Sequence, residues 1–456
     1  MAQARATDIS AARDAPAPSD AAQIHDFIKE QSERPVMNGR PFSNHGEPIG
    51  LYHPVFNQFQ EAMENTANFC ADADTYAKIR ELFSAFSGLY RKEDIRLQAI
   101  QGLLRALLGR ELTVIESNGV KSDGAIIQAC GESIAYLLVQ EVKNEIGTAK
   151  SDPYNQASLA YRKYWIARKS NWSIQSFADG IEEHLIDHCC CPSLILAIAG
   201  PWVCISGGVY TDKAIIQPLT DYVWLGGDPF DPNQQVFGAR LFAALKSAIQ
   251  SLEDYYRTLD LTRSTVSHYP YITGYGAEQT KFTYSSRLAN EYRYKLVYKA
   301  TLNDVSNTPI VVKFVHRYNA FAHRLLAAES LAPKLHYCSI DDNVRYGKRF
   351  MIVMDYVDLK PLSGRLTKKQ YKRIKTALDI LHANHMVFGD LRRPNVLAGK
   401  DTAMLIDFDW CGEAGKDRYP PEINLDGSID WHFEVGPDRP MHLYHDEHML
   451  DNLSSW

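Results

Sequence analysis

Three short stretches in the second half of the chain decide the fold: VVKF (311–314), VFGDLRRPNVL (387–397) and LIDFDW (405–410). Each sets a polar side chain within or beside a short apolar run of the kind that forms a buried strand. In chain order they supply a lysine, an aspartate followed five residues later by an asparagine, and a further aspartate. The order and spacing of these four groups are informative, whereas each group alone is most often structural.

The four groups match the needs of phosphoryl transfer from ATP, which uses a cation on the phosphates, a base for the acceptor hydroxyl and two metal ligands. Lys313 suits the cation and Asp390 suits the base. Asn395 and Asp407 suit the two Mg²⁺ ligands. Arg392, two residues past the base, would hold the transferring phosphoryl group. The pattern therefore predicts ATP and Mg²⁺ as cofactors.

These residues resemble the protein kinase superfamily over about 275–456, which implies an α+β bilobal domain. In FMIVMDYV (350–357), Met354 would be the gatekeeper residue beside the nucleotide. Asp446, in HDEHMLDNL, would tie down the catalytic loop. The resemblance implies a protein or a small molecule as the phosphoacceptor, and leaves that choice open.

The departures from the kinase pattern are as informative as the matches. Phe388 and Gly389 stand where the family has His-Arg, and Asp409 replaces the glycine of D-F-G. There is no Gly-rich loop between the first two strands, and the helix C glutamate is not evident, with His323 or Glu329 near its place. We expect a divergent active kinase; a pseudokinase that acts as a nucleotide switch stays open as the alternative.

A second pattern lies upstream, in LLVQEVKNEIG (137–147) and the preceding KSDGAII (121–127). Residues i and i+2 of a strand point to the same face, so Glu141 and Lys143 share one. Antiparallel pairing of the two segments would bring Asp123 beside them. Carboxylates that share Mg²⁺, with a lysine that positions water, are the groups of metal-dependent phosphodiester hydrolysis. The alternative is a solvated strand end with alternating charge.

Helices precede this pattern, Asp123 lies 18 residues before Glu141, and a helix with several polar residues follows: Gln156, Tyr161, Arg162 and Lys163. Together these features resemble the PD-(D/E)XK, or restriction-endonuclease-like, superfamily, which implies an α/β domain that cuts DNA or RNA. Ser122 replaces the usual proline, and the family's additional acid would be Glu61, Glu64 or Glu81. A retired nuclease fold that only binds its partner is the alternative.

The chain of 456 residues is long enough for two domains, and its net charge of −6 excludes an overall basic surface for nucleic acid. We predict a mobile arm over 1–48, a nuclease-like domain over 50–262 and a kinase-like domain over 272–456. This order resembles the fusions of Crinkler-type effectors and related fungal kinase-like proteins.

The N-terminus has no apolar leader and the longest apolar run is too short to span a bilayer. Eight cysteines without regular spacing indicate a reducing compartment. We therefore expect no membrane partner and an intracellular protein, cytoplasmic or nuclear, with delivery into a host cell left open. The cluster HLIDHCCCP (184–192) has histidines at helical spacing, but adjacent cysteines do not easily share one tetrahedral ion, and we expect a buried structural role.

Overall fold

The structure is a computed structural model. It describes residues 2–117, 120–131, 133–147, 150–166, 185–228, 230–262, 268–288, 293 and 295–454. The chain divides into two compact units, Met1–Tyr271 and Ile272–Trp456. The sequence pattern changes at 262–272, beside the same point. Among the described residues, no helix is long and apolar enough to cross a membrane.

The first unit begins with helices and continues with a sheet. Its helices are α1 Ala2–Arg13, α2 Pro18–Ala21, α3 Ile24–Glu33, α4 Pro54–Glu64, α5 Ala73–Ser87, α6 Glu93–Leu108, α7 Pro153–Ile166 and α8 Pro232–Arg257. Its strands are β1 Glu116–Ser117, β2 Val120–Lys121, β3 Gly124–Cys130, β4 Ser133–Lys143, β5 Ser193–Ala199, β6 Trp202–Tyr210, β7 Ala214–Pro218 and β8 Val223–Trp224. The helices that the sequence analysis places before the sheet are observed, and the long helix α8 closes the unit.

The main sheet of this unit has the strand order β3-β4-β5-β6-β7, with β8 also paired to β6. The pair β4 and β5 is parallel and the other pairs are antiparallel. A parallel pair needs a crossover, and α7 lies in that connection and packs on both strands. Every residue of β5 is buried, as expected for a strand covered on both faces.

The N-terminal segment differs from the mobile arm that its composition predicts, because α1 and α2 pack on α7. Buried Arg5 donates to the carbonyl oxygens of Tyr210 (2.6 Å) and Cys189 (3.1 Å), among others. Buried Glu30, in α3, accepts from Arg162 of α7 at 2.5 Å. These polar side chains bond to partners far along the chain, so the composition of residues 1–48 alone gives no sign of the packing.

The second unit also has mixed α/β content. Its strands are β9 Gly274–Tyr275, β10 Thr280–Arg287, β11 Leu296–Leu302, β12 Pro309–Val315, β13 Leu335–Cys338, β14 Phe350–Asp355, β15 Lys360–Pro361, β16 Met386–Val387, β17 Val396–Ala398, β18 Ala403–Leu405 and β19 Gly412–Glu413. Its helices are α9 Ala320–Ala328, α10 Lys368–Ala383 and α11 Leu443–Ser454.

An antiparallel sheet with the order β13-β14-β12-β11-β10-β9 forms the first part of this unit. Lys313 lies on β12, opposite Val297 of β11 and Ile352 of β14. The second part is built on α10 and α11, which pack together, and on short strand pairs that carry the segments around 390 and 407. One hydrophobic core joins α9, α10 and α11 to β14 and to the strands before Asp407.

Candidate active sites

The strand lysine of the second unit lies against two carboxylates. Lys313 Nζ donates to Asp407 Oδ1 and, at 2.6 Å, to Asp409 Oδ1. Although burial lowers it, the pKa of Lys313 is raised above its ordinary value by these two negative charges. Burial and repulsion from Asp407 raise the pKa of Asp409 to about 8. Asp409, in place of the D-F-G glycine, thus shares the lysine with the expected metal ligand.

The loop of residues 388–395, which the sequence analysis calls the catalytic loop, brings Asp390 and Asn395 into direct contact. Asn395 Nδ2 donates to the Asp390 backbone oxygen at 2.9 Å and to Asp390 Oδ2 at 2.7 Å. Arg392 forms a salt bridge with the same carboxylate, with Nη2 2.8 Å from Oδ2. Burial raises the pKa of Asp390, and Asp407 adds to the rise while Arg392 opposes it. Arg392 therefore contacts the expected base in this state, rather than standing apart from it.

The two halves of the site are joined through the backbone. The N–H of Ile406 donates to the Asn395 carbonyl at 3.0 Å, which fixes the strand before Asp407 beside the catalytic loop. Asp407 itself has a φ of 73°, a conformation that non-glycine residues adopt rarely. The structure thus brings Lys313, Asp390, Asn395 and Asp407 into one region of the second unit.

Asp446 of α11 bonds to the backbone of the loop before Asp390, the contact that the resemblance to protein kinases implied. Its carboxylate, 1% exposed, accepts from the backbone N–H groups of Phe388 (2.7 Å) and Gly389 (2.9 Å). His382 Nε2 lies 3.1 Å from the same group. Gly389 has a φ of 79°, and a Cβ there would lie 2.1 Å from Met441 Cε. The left-handed backbone therefore favours glycine before Asp390, and a Cβ there would also displace the flexible end of the Met441 side chain.

Neither residue named from the sequence, His323 or Glu329, contacts Lys313 as a helix C glutamate would. His323 of α9 stacks on Phe408 with ring centroids 4.6 Å apart, and Phe408 meets Phe388 at 5.5 Å. The His323 nitrogens bond the Tyr318 hydroxyl (2.7 Å) and the Pro333 carbonyl (2.8 Å), so they are not directed at Lys313. Glu329 lies exposed at the end of α9. Asp409 supplies the lysine with its additional carboxylate instead.

The donor set of this site suits a hard cation. Asp407 offers carboxylate oxygens, and the Nδ2 bonds of Asn395 leave its amide oxygen for a ligand. Met354 is buried on β14, paired with Val311. A cavity of about 740 Å³ opens beside Asp409, and its lining does not include Lys313, Asp390, Asn395 or Asp407. The turn between β10 and β11, where a Gly-rich loop would lie, includes residues outside the described ones.

The first unit gathers its three candidate residues at the end of β4. Glu141 is 1% exposed and Lys143 is 7% exposed, which excludes the solvated strand end considered above. Asp123 precedes β3, and its Oδ2 accepts from the backbone N–H of Val142 at 2.7 Å. The antiparallel pairing of β3 with β4 therefore places Asp123 beside the segment from Glu141 to Lys143, as the sequence analysis predicts.

The carboxyl groups of this cluster shift one another's pKa. Burial and the Asp123 charge raise the pKa of Glu141 well above its ordinary value. Burial raises the pKa of Asp123 too, and the nearby Lys143 opposes the rise. Glu141 Oε1 is buried, no donor among the described residues bonds to it, and the Glu141 and Asp123 carboxyl groups contact each other. An orphaned carboxylate oxygen beside a second carboxylate, with only oxygen donors, fits a Mg²⁺ ion held by Asp123 and Glu141.

Of the four polar residues of α7 named from the sequence, one contacts this site. Gln156 Nε2 donates to Glu141 Oε2 at 2.9 Å. Tyr161 bonds the Cys191 carbonyl, and Arg162 bonds Glu30. Lys163 donates to the Arg13 carbonyl at 3.0 Å, so it serves packing of the N-terminal segment.

A further carboxylate beside Lys143 is that of Glu93, which is not among the residues Glu61, Glu64 and Glu81 named from the sequence. Glu93 begins α6, and its Oε1 lies 3.5 Å from Lys143 Nζ. Burial raises the pKa of Glu93, and Lys143 opposes the rise. The available sequence signal was its position, at the start of the last helix before the sheet.

The cysteine cluster is structural where it is described. Cys189 and Cys191 are buried, and their backbone oxygens accept from Arg5 and Tyr161. His184 lies outside the described residues.

Comparison with known proteins gives likeness of fold over part of the chain. No family model and no curated protein matches the sequence. The kinase PK-1 of the Cydia pomonella granulovirus is 20% identical with a TM-score of 0.25, over 30% of this chain and 57% of its own. Vaccinia related kinase 3 is 12% identical with a TM-score of 0.29, over 39% and 64%. This chain spans less than two thirds of either structure, so we take activity, substrates and partners from the geometry of the sites alone.

Proposed function

We propose that the second unit is an ATP- and Mg²⁺-dependent phosphotransferase. The observation that supports this best is the bonding of Asp446 to the backbone of the loop that carries Asp390, with Asn395 bonded to the same aspartate. Such a loop is pre-organised, and positioning supplies most of the rate in phosphoryl transfer. Lys313 and Asp407 complete the set of groups the reaction needs.

Each residue has a definite task in this proposal. Lys313 binds the nontransferred phosphates, and Asp390 orients the acceptor hydroxyl and receives its proton. Asn395 and Asp407 would hold Mg²⁺, which neutralises charge on the phosphates. Arg392 would move from Asp390 to the transferring phosphoryl group when substrates bind, because its guanidinium suits phosphate oxygens.

The acceptor is proposed to be polar. The cavity beside Asp409 is lined by charged side chains of both signs, among them Arg317, Lys416, Asp417 and Asp438. Such walls favour a peptide segment or a polar small molecule over a lipid tail. Either acceptor remains part of the proposal.

The test is transfer of labelled phosphate from ATP by the full chain with Mg²⁺, using a general protein acceptor and autophosphorylation as readouts. We expect Lys313→Met and Asp407→Asn each to abolish incorporation. The matched control is Asp401→Asn, which changes an exposed aspartate in the turn between β17 and β18. Incorporation that survives both site variants would refute the proposal.

A second activity is proposed for the first unit: Mg²⁺-dependent hydrolysis of DNA or RNA phosphodiester bonds. The contacts of Asp123, Glu141, Lys143 and Gln156 support it. Lys143 would position the attacking water, while Asp123 and Glu141 would hold the metal, which activates that water and stabilises the departing charge. Glu93 would keep Lys143 oriented through its 3.5 Å contact.

Cleavage of labelled duplex DNA and single-stranded RNA tests this second activity. Glu141→Gln should abolish cleavage, while Glu111→Gln, at an exposed position outside the strands, should leave it unchanged. The variant of each unit also serves as an experimental control for the other unit. Asp390→Asn should leave cleavage unchanged, and Glu141→Gln should leave phosphate transfer unchanged. Without cleavage in any condition, the binding-module alternative for the first unit would replace it.

The combination is proposed as a Crinkler-type or fungal kinase-like fusion that acts inside a cell, its own or a host's. In the nucleotide-switch alternative, ATP binds without transfer and changes the cleavage rate. Cleavage with and without ATP separates these two relations between the units.

A further inference from the structure

A separate group of ligand-type side chains lies in the second unit: His432, Glu434 and His445. One ligand atom from each lies within 4.8 Å of the other two. Within the described part of the chain, no other set of three histidine, cysteine or acidic side chains has this spacing. Two members come from the loop before α11 and the third from α11 itself. None of them has a task in the proposed phosphate transfer.

His445 provides an independent observation. This residue is 1% exposed, and its Nε2 has no hydrogen-bond partner among the residues that the structure describes. The same Nε2 lies 3.8 Å from Glu434 Oε2, too far for a hydrogen bond but suitable for two ligands of one ion. A buried polar atom without a partner is costly in a folded protein, so an unpaired nitrogen facing a carboxylate indicates a bound group.

The surroundings orient these side chains from behind. The Tyr444 hydroxyl donates to Glu434 Oε2, and the Tyr419 hydroxyl lies 3.0 Å from His445 Nδ1. Bonds of this kind commonly fix the ring orientation and tautomer of metal-binding histidines.

Backbone N–H groups near the two histidines indicate which ring nitrogen carries the proton before a metal binds. The N–H of His442 lies 3.2 Å from His445 Nδ1, and the N–H of Glu434 lies 3.3 Å from His432 Nδ1. In the metal-free rings these long contacts favour the lone pair on Nδ1 and the proton on Nε2. Binding through Nε2 therefore leaves the ring proton on Nδ1, and in His445 this Nδ1–H group can donate a hydrogen bond to the Tyr419 oxygen.

We propose that His432, Glu434 and His445 bind a divalent transition-metal ion of the zinc class. Two imidazoles and one carboxylate form a donor set that zinc uses, and three protein ligands leave one position for water. The ion would join the loop that carries His432 to α11, where the next residue, Asp446, holds the catalytic-loop backbone. The site differs from the Mg²⁺ sites in donor type and does not depend on either proposed activity.

The experiment is titration of the full-length protein with Zn²⁺ against a chromogenic chelator, and with Co²⁺ followed by visible absorption. His432→Ala and Glu434→Gln are suitable variants because both residues lie at least partly at the surface. His448→Gln is the matched control, since this neighbouring histidine already contacts the Asp430 carbonyl through Nε2. Because the variants leave the eight free cysteines unchanged, any Zn²⁺ that these thiols bind should be the same in every variant, and the difference between variants is the readout.

We expect the wild type to bind one more equivalent than His432→Ala or Glu434→Gln, with absorption bands of four-coordinate Co²⁺ that both variants lose. His448→Gln should keep the equivalent and the bands. Tyr419→Phe should weaken binding about 10- to 100-fold, as loss of a partner behind a metal-binding histidine does. Equal binding in the wild type and both ligand variants would overturn the proposal. Loss in His448→Gln as large as in His432→Ala would overturn the assigned ligand set.

Discussion

Asp446→Ala is the most informative perturbation of the second unit, because one carboxylate holds two backbone amides of the catalytic loop. The substitution removes acceptors at 2.7 and 2.9 Å and leaves the N–H groups of Phe388 and Gly389 buried without partners. Each such loss costs about 1–3 kcal/mol, so we expect about 4 kcal/mol for the pair. Since 1.4 kcal/mol corresponds to a factor of ten, local opening should become roughly a thousand times more frequent.

Amide hydrogen exchange of the full chain, followed by mass spectrometry, measures this opening in peptides that contain Phe388 and Gly389. The increase in exchange rate is limited by the free energy of unfolding of the second unit, because global unfolding also exposes these amides. Asp451→Ala is the control, because it removes an exposed carboxylate from the same helix. If exchange of these peptides rises less than about tenfold in Asp446→Ala, the loop is held by other contacts and the reasoning fails.

Three further predictions concern stability. Because the folded Asp409 has a pKa of about 8, it holds a proton that the unfolded chain lacks between about pH 4 and 8. The free energy of unfolding should therefore fall as pH rises through that window, by up to about 1.4 kcal/mol per pH unit. Urea denaturation at pH 5 and 7 measures this difference, which should be smaller in Asp409→Asn than in the wild type; an equal difference in both proteins would contradict the prediction. Gly389→Ala should cost about 1–3 kcal/mol and lower the thermal midpoint, because of the positive φ and the contact with Met441; a midpoint equal to that of the wild type would exclude the strain. Arg5→Ala should cost about 3 kcal/mol in the same assay, since buried carbonyl oxygens lose a charged donor, whereas a truly mobile arm would give no change.

Sequence alone predicted the groups whose positions depend on local spacing. Asn395 follows Asp390 by five residues within one loop, and Glu141 and Lys143 alternate on one strand, so short-range geometry brings each pair together. Asp446 was predicted from its resemblance, and its two bonds to the loop agree with that role.

The remaining features depend on which helix face meets which neighbour. Of the four polar residues proposed on α7, Gln156 faces Glu141, while Arg162 turns to Glu30 of the N-terminal helices. All described residues of α7 are buried, so no amphipathic stripe marks its faces. Glu93 likewise meets Lys143 only through tertiary packing of α6 on the sheet. Asp409 could have been suspected, because a carboxylate replaces the D-F-G glycine two residues from Asp407.

The measurement that tests the central claim most directly is phosphate transfer by Asp390→Asn beside its affinity for ATP with Mg²⁺. If Asp390 is the base, the variant should bind nucleotide as the wild type does and transfer phosphate about 10²- to 10⁴-fold more slowly. Equal transfer by Asp390→Asn and the wild type would contradict the assignment of this site. Nucleotide binding without transfer by either protein would contradict the phosphotransferase and leave the nucleotide switch.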